Sequence, residues 1–467
     1  MMRNIYFLAI ALGSMAVANA QNSFGQMQNQ ISRNQAGVNQ FDVKKDSVQF
    51  KGVSIDLGGS FALQFQALNS FNDQKDLAAP IANYRLNNLE NNLNLPTANL
   101  IFGAQLADGV RVYLDLYLAS RHHNETWVKG GYLQIDKLDF IKKDFLSGFM
   151  KYATIKIGQM ENNYGDAHFR RSDNGNVLVN PFIENNLMDA FITEPGAELY
   201  YNRSGFVSMF GITNSKLNQS VAEIVPSAPT TAAPNPNTTI SPTILAKLGY
   251  DKKLKDELRI RITGSLYHVA NSSSNLYTSD RAGSRFYGVM SHQAYTGVGT
   301  NAAPTVGVAV PNNFDVTANK DTGRFNPGYG NWATSYMINP FIKYKGLEFF
   351  GTLEFTSGGD AKGVDKTRTV NQYVGDVVYR FGTNERFYAG AKYNVVTGKL
   401  KNIDAEAVTV NRLETGLGWF MTKNIVAKLI YINQNYKDYS KTIAGGNPND
   451  LYGGSFNGLM FEAGISF

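Results

Sequence analysis

The chain ends Phe456-Asn457-Gly458-Leu459-Met460-Phe461-Glu462-Ala463-Gly464-Ile465-Ser466-Phe467 (FNGLMFEAGISF). Leu459, Phe461, Ala463, Ile465 and Phe467 fall on every second position, and Met460, Glu462, Gly464 and Ser466 lie between them. Successive side chains of a strand point to opposite faces, so this stretch reads as a strand with one apolar face and one small or polar face. Such a strand suits a wall with lipid on one side and water on the other. A soluble sandwich has the same period with its apolar face turned in, so the decision rests on the ensemble of strands.

The pattern repeats from Val53 onward. Val110, Val112, Leu114, Leu116 and Leu118 alternate with Arg111, Tyr113, Asp115 and Tyr117, and Ile55, Leu57, Phe61, Leu63 and Phe65 alternate with Asp56, Ser60 and Gln64. Sixteen strands can be placed, with connections that alternate in length. The short ones fall at Asp108-Gly109, Leu138 to Lys151, Arg203 to Gly205, Lys252 to Asp256, Lys345-Gly346, Gly382 to Glu385 and Thr422 to Asn424. The long ones cover Asn69 to Asn94, Ser120 to Glu125, Glu161 to Thr193, Asn214 to Ile240, Ala270 to Trp332, Ser357 to Asp365, Gly398 to Ala405 and Lys437 to Ser455. Short turns on one rim, long loops on the other and an even strand number are the organisation of an outer-membrane barrel. The expected fold is therefore all-β: a transmembrane antiparallel β-barrel of 16 strands over residues 53–467, with short periplasmic turns and long outer loops. Phe140, Ile141, Phe145, Leu146 and Phe149 stand near helical spacing and predict a short helix in the Leu138 to Lys151 turn. The final Phe467 also resembles the terminal signal of outer-membrane barrels, where a last aromatic residue is read by the assembly machinery.

The other end agrees. Arg3, the apolar run Ile5 to Leu12 and Ala18-Asn19-Ala20 read as a signal peptide over residues 1–20. Residues 21–52, rich in Gln and Asn to position 40, read as a periplasmic tail, flexible or weakly helical. No run is long enough for a transmembrane helix. Aromatics reach 12% while charged residues are only 18%, a surplus that interfacial girdles would use. The SAPTTAAPNPNTT tract within Asn214 to Ile240 reads as mobile, and Ala270 to Trp332 as ordered turns over the mouth.

If the aliphatic faces meet lipid, parity turns Arg111, Asp115, Lys156, Arg259, Arg261, Arg380, Lys392 and Arg412 toward the lumen. Asp56, Asp136, Glu198, Glu348, Glu354, Asp376, Glu414 and Glu462 join them, as do Lys247, Lys343 and Lys428. The signs nearly balance, which predicts a wet, mixed-charge wall; Arg259 and Arg261 on one strand are the best local hint of an anion track. In Glu161 to Thr193, Asp166, His168, Arg170, Arg171 and Glu184 accompany Asp173, Phe169, Pro181 and Phe182. A loop folded into a barrel needs apolar residues against the wall and charged ones toward the stream, so these five are the pore-constriction candidates. The alternative is an outer loop packed on a neighbouring subunit.

Other chemistry finds little support. The chain has no cysteine, which excludes a catalytic thiol, a disulfide framework and a Cys-ligated metal. Of five histidines, the His122-His123 pair lacks a third ligand at recognisable spacing and reads as a solvated loop. No nucleophile elbow, HExxH or phosphate-cradling loop occurs, and His268 is the sole candidate base for a barrel-embedded hydrolase. A net charge of +6 without a basic, aromatic-interleaved block argues against nucleic acid. No enzyme activity, cofactor or metal is expected.

Gly52-Val53-Ser54-Ile55-Asp56-Leu57-Gly58-Gly59-Ser60-Phe61 and Ile155-Lys156-Ile157-Gly158-Gln159-Met160, followed by Asn163-Tyr164-Gly165, resemble the phosphate-selective porin O and P family. The first is similar to that family's opening strand and the second to its K-x-G-Q-F strand with Pro-Phe-Gly after it. The resemblance implies a sixteen-stranded homotrimer whose third outer loop narrows the pore, with arginines and lysines lining it in phosphate-specific members. Ser60 stands where the family has Arg, and Asn163 where it has Pro. With a balanced wall, phosphate selectivity is not expected here.

The sequence thus leads to a porin of a Gram-negative-type outer membrane, a homotrimer in contact with lipid and passing small hydrophilic solutes or ions by diffusion. An anion- or organic-acid-selective channel and a structural or adhesive barrel are the alternatives.

Overall fold

The structure is a computed structural model that describes residues 27–74, 86–119, 127–216, 241–272, 274–277, 283–291, 322–359, 367–400, 406–443 and 448–467. Residues 1–20, His122-His123 and the Ser/Thr/Pro tract fall outside them. Sixteen strands follow one another: β1 (Ser54–Phe71), β2 (Thr97–Ala107), β3 (Val110–Ala119), β4 (Trp127–Ile135), β5 (Ala153–Glu161), β6 (Thr193–Arg203), β7 (Phe206–Thr213) and β8 (Thr243–Lys255). The second half is β9 (Leu258–Val269), β10 (Trp332–Tyr344), β11 (Leu347–Gly359), β12 (Arg368–Phe381), β13 (Phe387–Gly398), β14 (Val408–Thr422), β15 (Ile425–Lys437) and β16 (Ser455–Ser466). A two-residue piece, Asn92–Leu93, pairs with β1 beside β2. Each strand pairs antiparallel with its sequence neighbours, and β1 pairs with β16 to close the barrel.

Parity sorts the side chains. Leu57, Phe61, Leu353, Leu417, Leu429 and Phe461 are exposed on the outside, while Ser60, Gln64, Glu354, Glu414, Lys428 and Glu462 are buried within. So large an apolar exterior is untenable in water. It is what a barrel offers to lipid, where every strand must pair because no solvent can satisfy the backbone. Aromatics gather at the short-turn rim: Tyr379, Phe381, Phe387 and Trp419 form a chain of stacked rings at 5.9, 5.9 and 6.0 Å. Among the described residues no helix is long and apolar enough to cross a membrane.

Two expectations change. The helix expected in Leu138 to Lys151 is a single turn, Ser147–Met150, because Asp144 and Leu146 adopt φ of 58° and 51° and interrupt the right-handed run. Residues 27–46 do not hang free as a flexible tail. They enter the lumen from the short-turn rim, where Phe41 is buried between Phe341 and Phe350 at ring distances of 5.0 and 6.1 Å. Arg33 pairs with Asp56, Asp42 with Arg261 (2.6 Å) and Lys45 with Asp136 (2.5 Å), and Gln35 N–H donates to Lys423 O (2.7 Å).

The closing seam explains the Gly58-Gly59 pair. Gly59 exchanges both backbone hydrogen bonds with Phe467 at 3.0 Å. A β-carbon on Gly58 would run into Arg33, and one on Gly59 would lie 2.9 Å from Asn99 O and 3.2 Å from the Phe467 ring. One glycine thus clears the lumen and the other clears the seam. Gly59→Val is expected to destabilise closure by about 1–3 kcal/mol, the usual cost of overpacking. Loss of heat-modifiable migration on gels, or a lower urea midpoint than the parent, is the measurement; an unchanged midpoint refutes the assignment.

Candidate functional site

The loop at 162–192 between β5 and β6 lies inside the barrel, held largely by its main chain. Lys428 Nζ donates to Val177 O (2.7 Å), Phe182 O (3.0 Å) and Glu462 (2.6 Å), using all three of its protons. Lys392 donates to Glu184 O (3.0 Å), and Arg412 donates to Asn185 O. Leu187 N–H donates to Asn394 (2.6 Å), Met188 N–H to Gln372 (2.9 Å) and Gly175 N–H to Asn99 (2.8 Å). Val177, Phe182, Ile183 and Leu187 supply the apolar contacts between these bonds. Described parts of the long connection between β9 and β10 also reach inward rather than lying over the mouth. Ser284 donates to Glu184 (2.7 Å), and Arg285 donates to Asn174 O (2.9 Å) and lies 3.3 Å from Glu462.

The constriction candidates separate into two groups. Asp166 accepts from Arg261 (2.7 and 3.0 Å) and Thr263 (2.7 Å) and lies 3.2 Å from Lys247. Arg170 lies 3.2 Å from Asp376 and also donates to Asn39; Glu184 lies 3.2 Å from Arg324. All three are buried and bind the loop to its surroundings. His168 and Arg171 also line an open cavity, though Arg171 is as buried as Arg170 and is held by Asp189 (3.2 and 2.7 Å) and Asp173 (2.9 Å). Burial pushes the Asp166 carboxyl up, but Lys247 and Arg261 outweigh it and hold it below the usual carboxylate range. Burial acts likewise on Asp189, which Arg171 and Arg324 pull down to about 2.

The wall divides the same way, and much of it is not wet. Arg259 makes a bidentate pair with Asp251 (2.8 and 2.6 Å), so with Arg261 bound to Asp166 the expected anion track is neutralised. Arg380 pairs with Glu348 (2.8 Å), Arg412 with Glu414 (3.1 Å) and Lys392 with Glu414 (3.6 Å). Arg111, Asp115 and Lys156, in contrast, line a cavity of about 300 Å³ between residues 30–43, the inward faces of β2 to β6, and the loop. Arg111 donates to Asn29 O and Gln134 (both 2.7 Å), and Lys156 Nζ lies 5.2 and 4.9 Å from the Tyr132 and Tyr200 rings. Asp115 accepts from Asn99 (3.2 Å), and Glu198 accepts from Asn163 N–H (3.0 Å) and the Tyr200 hydroxyl. Tyr113 and Tyr132 stack at 5.1 Å within the same lining. Sequence reasoning missed Lys129 and the segment 30–43 in this lining; a register shift opposite Asp115 and Leu116 brings Lys129 to the same face as Tyr132 and Gln134, which strict alternation does not foresee. His268 contacts Thr334 Oγ1 (2.8 Å).

Both departures from the family motifs have a local cause. Asn163 N–H makes the bond to Glu198 that proline could not make. Ser60 is buried, and its hydroxyl donates to Asn99 Oδ1 (3.3 Å), the same oxygen that takes the loop's Gly175 N–H (2.8 Å).

Fold and interior define an outer-membrane β-barrel. No family model matches the chain, and no curated protein matches it. Among solved structures, OmpT, an outer membrane protein of Vibrio cholerae, is similar at 8% identity and a TM-score of 0.48, covering 90% of this chain and 99% of that one. An anion-selective porin from Comamonas acidovorans gives 11% identity and a TM-score of 0.48, covering 89% and 100%. The outer membrane channel DcaP of Acinetobacter baumannii gives 10% and 0.45, covering 90% and 99%. At this depth of similarity the functional reading rests on this chain's own residues.

Asp166→Asn would leave Lys247 without its paired carboxylate, while Arg261 keeps Asp42 and Asp251, and is expected to cost about 3 kcal/mol at the loop. Faster proteolysis in the 162–192 segment with an intact barrel is the readout; parental protection would refute it. Because Asp166 and Asp189 are held low, their contribution is present above the ordinary carboxylate range and lost as pH falls through the depressed values. Loop protection should therefore hold from neutral pH down to about 4 and fail only in stronger acid.

Proposed function

We propose that this protein is a porin-like channel of restricted bore, through which small hydrophilic solutes or ions diffuse along the β2–β6 side of the lumen. The observation that carries this reading is the mixed-charge cavity, walled on one side by the barrel and on the other by the 162–192 loop. The opposite half is filled by ion-paired side chains and loop backbone, so little is left there for a solute to use.

His168 is the loop residue proposed to meet the stream, beside the ion-paired Arg171, with Arg111, Asp115, Lys156 and Glu198 across from it. Two cations and two carboxylates among the latter have neutral partners for their closest bonds, and can exchange part of a solute's hydration shell. Their balance supports weak ion selectivity over the anion- or organic-acid-selective alternative, and no residue supports phosphate as the solute. A homotrimer in lipid fits the reading and is proposed with it. Residues 27–46 are proposed to narrow the periplasmic mouth.

Planar-bilayer recording tests the reading. Small stepwise conductances with a near-zero reversal potential in a salt gradient are expected, and absence of steps from folded protein would refute a channel. Lys156→Glu should move the reversal potential toward cation preference. Deleting residues 27–46 should raise unit conductance about twofold or more, since the bore sets the current; an unchanged conductance would remove that segment from the path.

A further inference from the structure

The turn between β4 and β5 differs from the other short connections in length and in what it displays. Phe140, Ile141, Phe145, Leu146 and Phe149 are all exposed, in a segment ordered by its own backbone bonds: Ile141 N–H to Leu138 O (3.0 Å), Phe145 N–H to Lys142 O (2.9 Å) and Phe149 N–H to Leu146 O (3.0 Å). Leu146 adopts φ 51°, a region that favours glycine, with its side chain exposed.

The turn folds against the outside of the wall. Met150 is buried with Ile135 and Ala153, against Leu133, Ile155 and Tyr201, all of the lipid-facing parity. Phe149 stacks on Tyr201 at 5.6 Å, and Tyr152 lies 5.9 Å from the same ring. These rings extend the aromatic girdle of the short-turn rim, so the exposed residues are continuous with the surface already assigned to lipid. Lys142, Lys143 and Lys151 are exposed among them, outnumbering the exposed Asp139 and Asp144. Arg203 lies 4.9 Å from the Tyr152 ring, adding a cation at the same level.

We infer that residues 139–151 form an interfacial anchor that seats in the periplasm-facing leaflet and takes phospholipid with anionic headgroups. The apolar side chains enter the boundary between headgroups and acyl chains while the lysines stay at phosphate level, the arrangement of an amphipathic interfacial segment. Basic residues at that depth favour anionic over zwitterionic lipid.

The absence of cysteine makes the test direct. Single-cysteine variants F140C, I141C and F145C carry a spin label, with D256C in another short turn as the aqueous control. In bilayers of phosphatidylcholine and phosphatidylglycerol, the first three labels are expected to be reached by oxygen and shielded from a water-soluble nickel chelate, and the control the reverse. Labels open to the chelate would show a solvated turn. Labels shielded from both reagents would show a protein contact, with a neighbouring copy or another partner. Either result overturns the anchor. The headgroup claim is tested by K142Q/K143Q, whose retention of phosphatidylglycerol over phosphatidylcholine in native mass spectrometry should fall on the order of tenfold. An unchanged ratio refutes the anionic preference.

Discussion

A charged side chain that points inward from a spanning strand and is sealed from water must find an opposite charge or a carbonyl oxygen. An isolated ion there costs far more than a barrel's marginal stability could absorb. The interior of this protein is organised by that constraint. Lys428, Lys392 and Arg412 stand on adjacent strands, and their carboxylate neighbours Glu462 and Glu414 leave donors over. Carbonyls of the 162–192 loop take those donors, so the loop is drawn across the lumen by the wall's unmet hydrogen bonds as much as by its apolar residues. The second inward loop follows the same logic through Arg285 and Arg324, which reach Glu462 and Glu184.

The outcome is a barrel whose two halves differ physically. On the β10–β16 side, ion-paired side chains and loop backbone are buried against one another. On the β2–β6 side, Arg111, Asp115, Lys156 and Glu198 keep neutral partners or aromatic faces and line open space. Residues 27–46 close part of the short-turn end with Phe41 wedged among rings and with Arg259 and Arg261 against it, at 5.4 and 4.8 Å from the Phe41 ring. The proposed solute route is therefore what the packed half leaves over.

The fold was legible because period-two alternation and alternating loop lengths are local signals. The inward set from Arg111 to Glu462 follows from parity alone. What parity cannot supply is partnership. Whether Arg261 faces water or Asp166 depends on a loop nearly a hundred positions away in sequence, and Arg170 and Glu184 look alike as charged loop residues whether they meet the stream or grip the wall. The segment at 27–46 looked like a tail because it is poor in apolar residues; a single phenylalanine and several polar side chains suffice to hold it inside a barrel already rich in hydrogen-bonding groups. The short helix expected after β4 is present but confined to one turn for a more local reason, two left-handed residues that apolar spacing does not reveal.

On the β13–β16 side the wall holds the 162–192 loop by peptide carbonyls, which every residue type supplies. Substitutions at the loop's cavity-facing positions can then accumulate without shifting its path. In such a scaffold the chemistry facing the cavity and the path of the loop are set by separate groups.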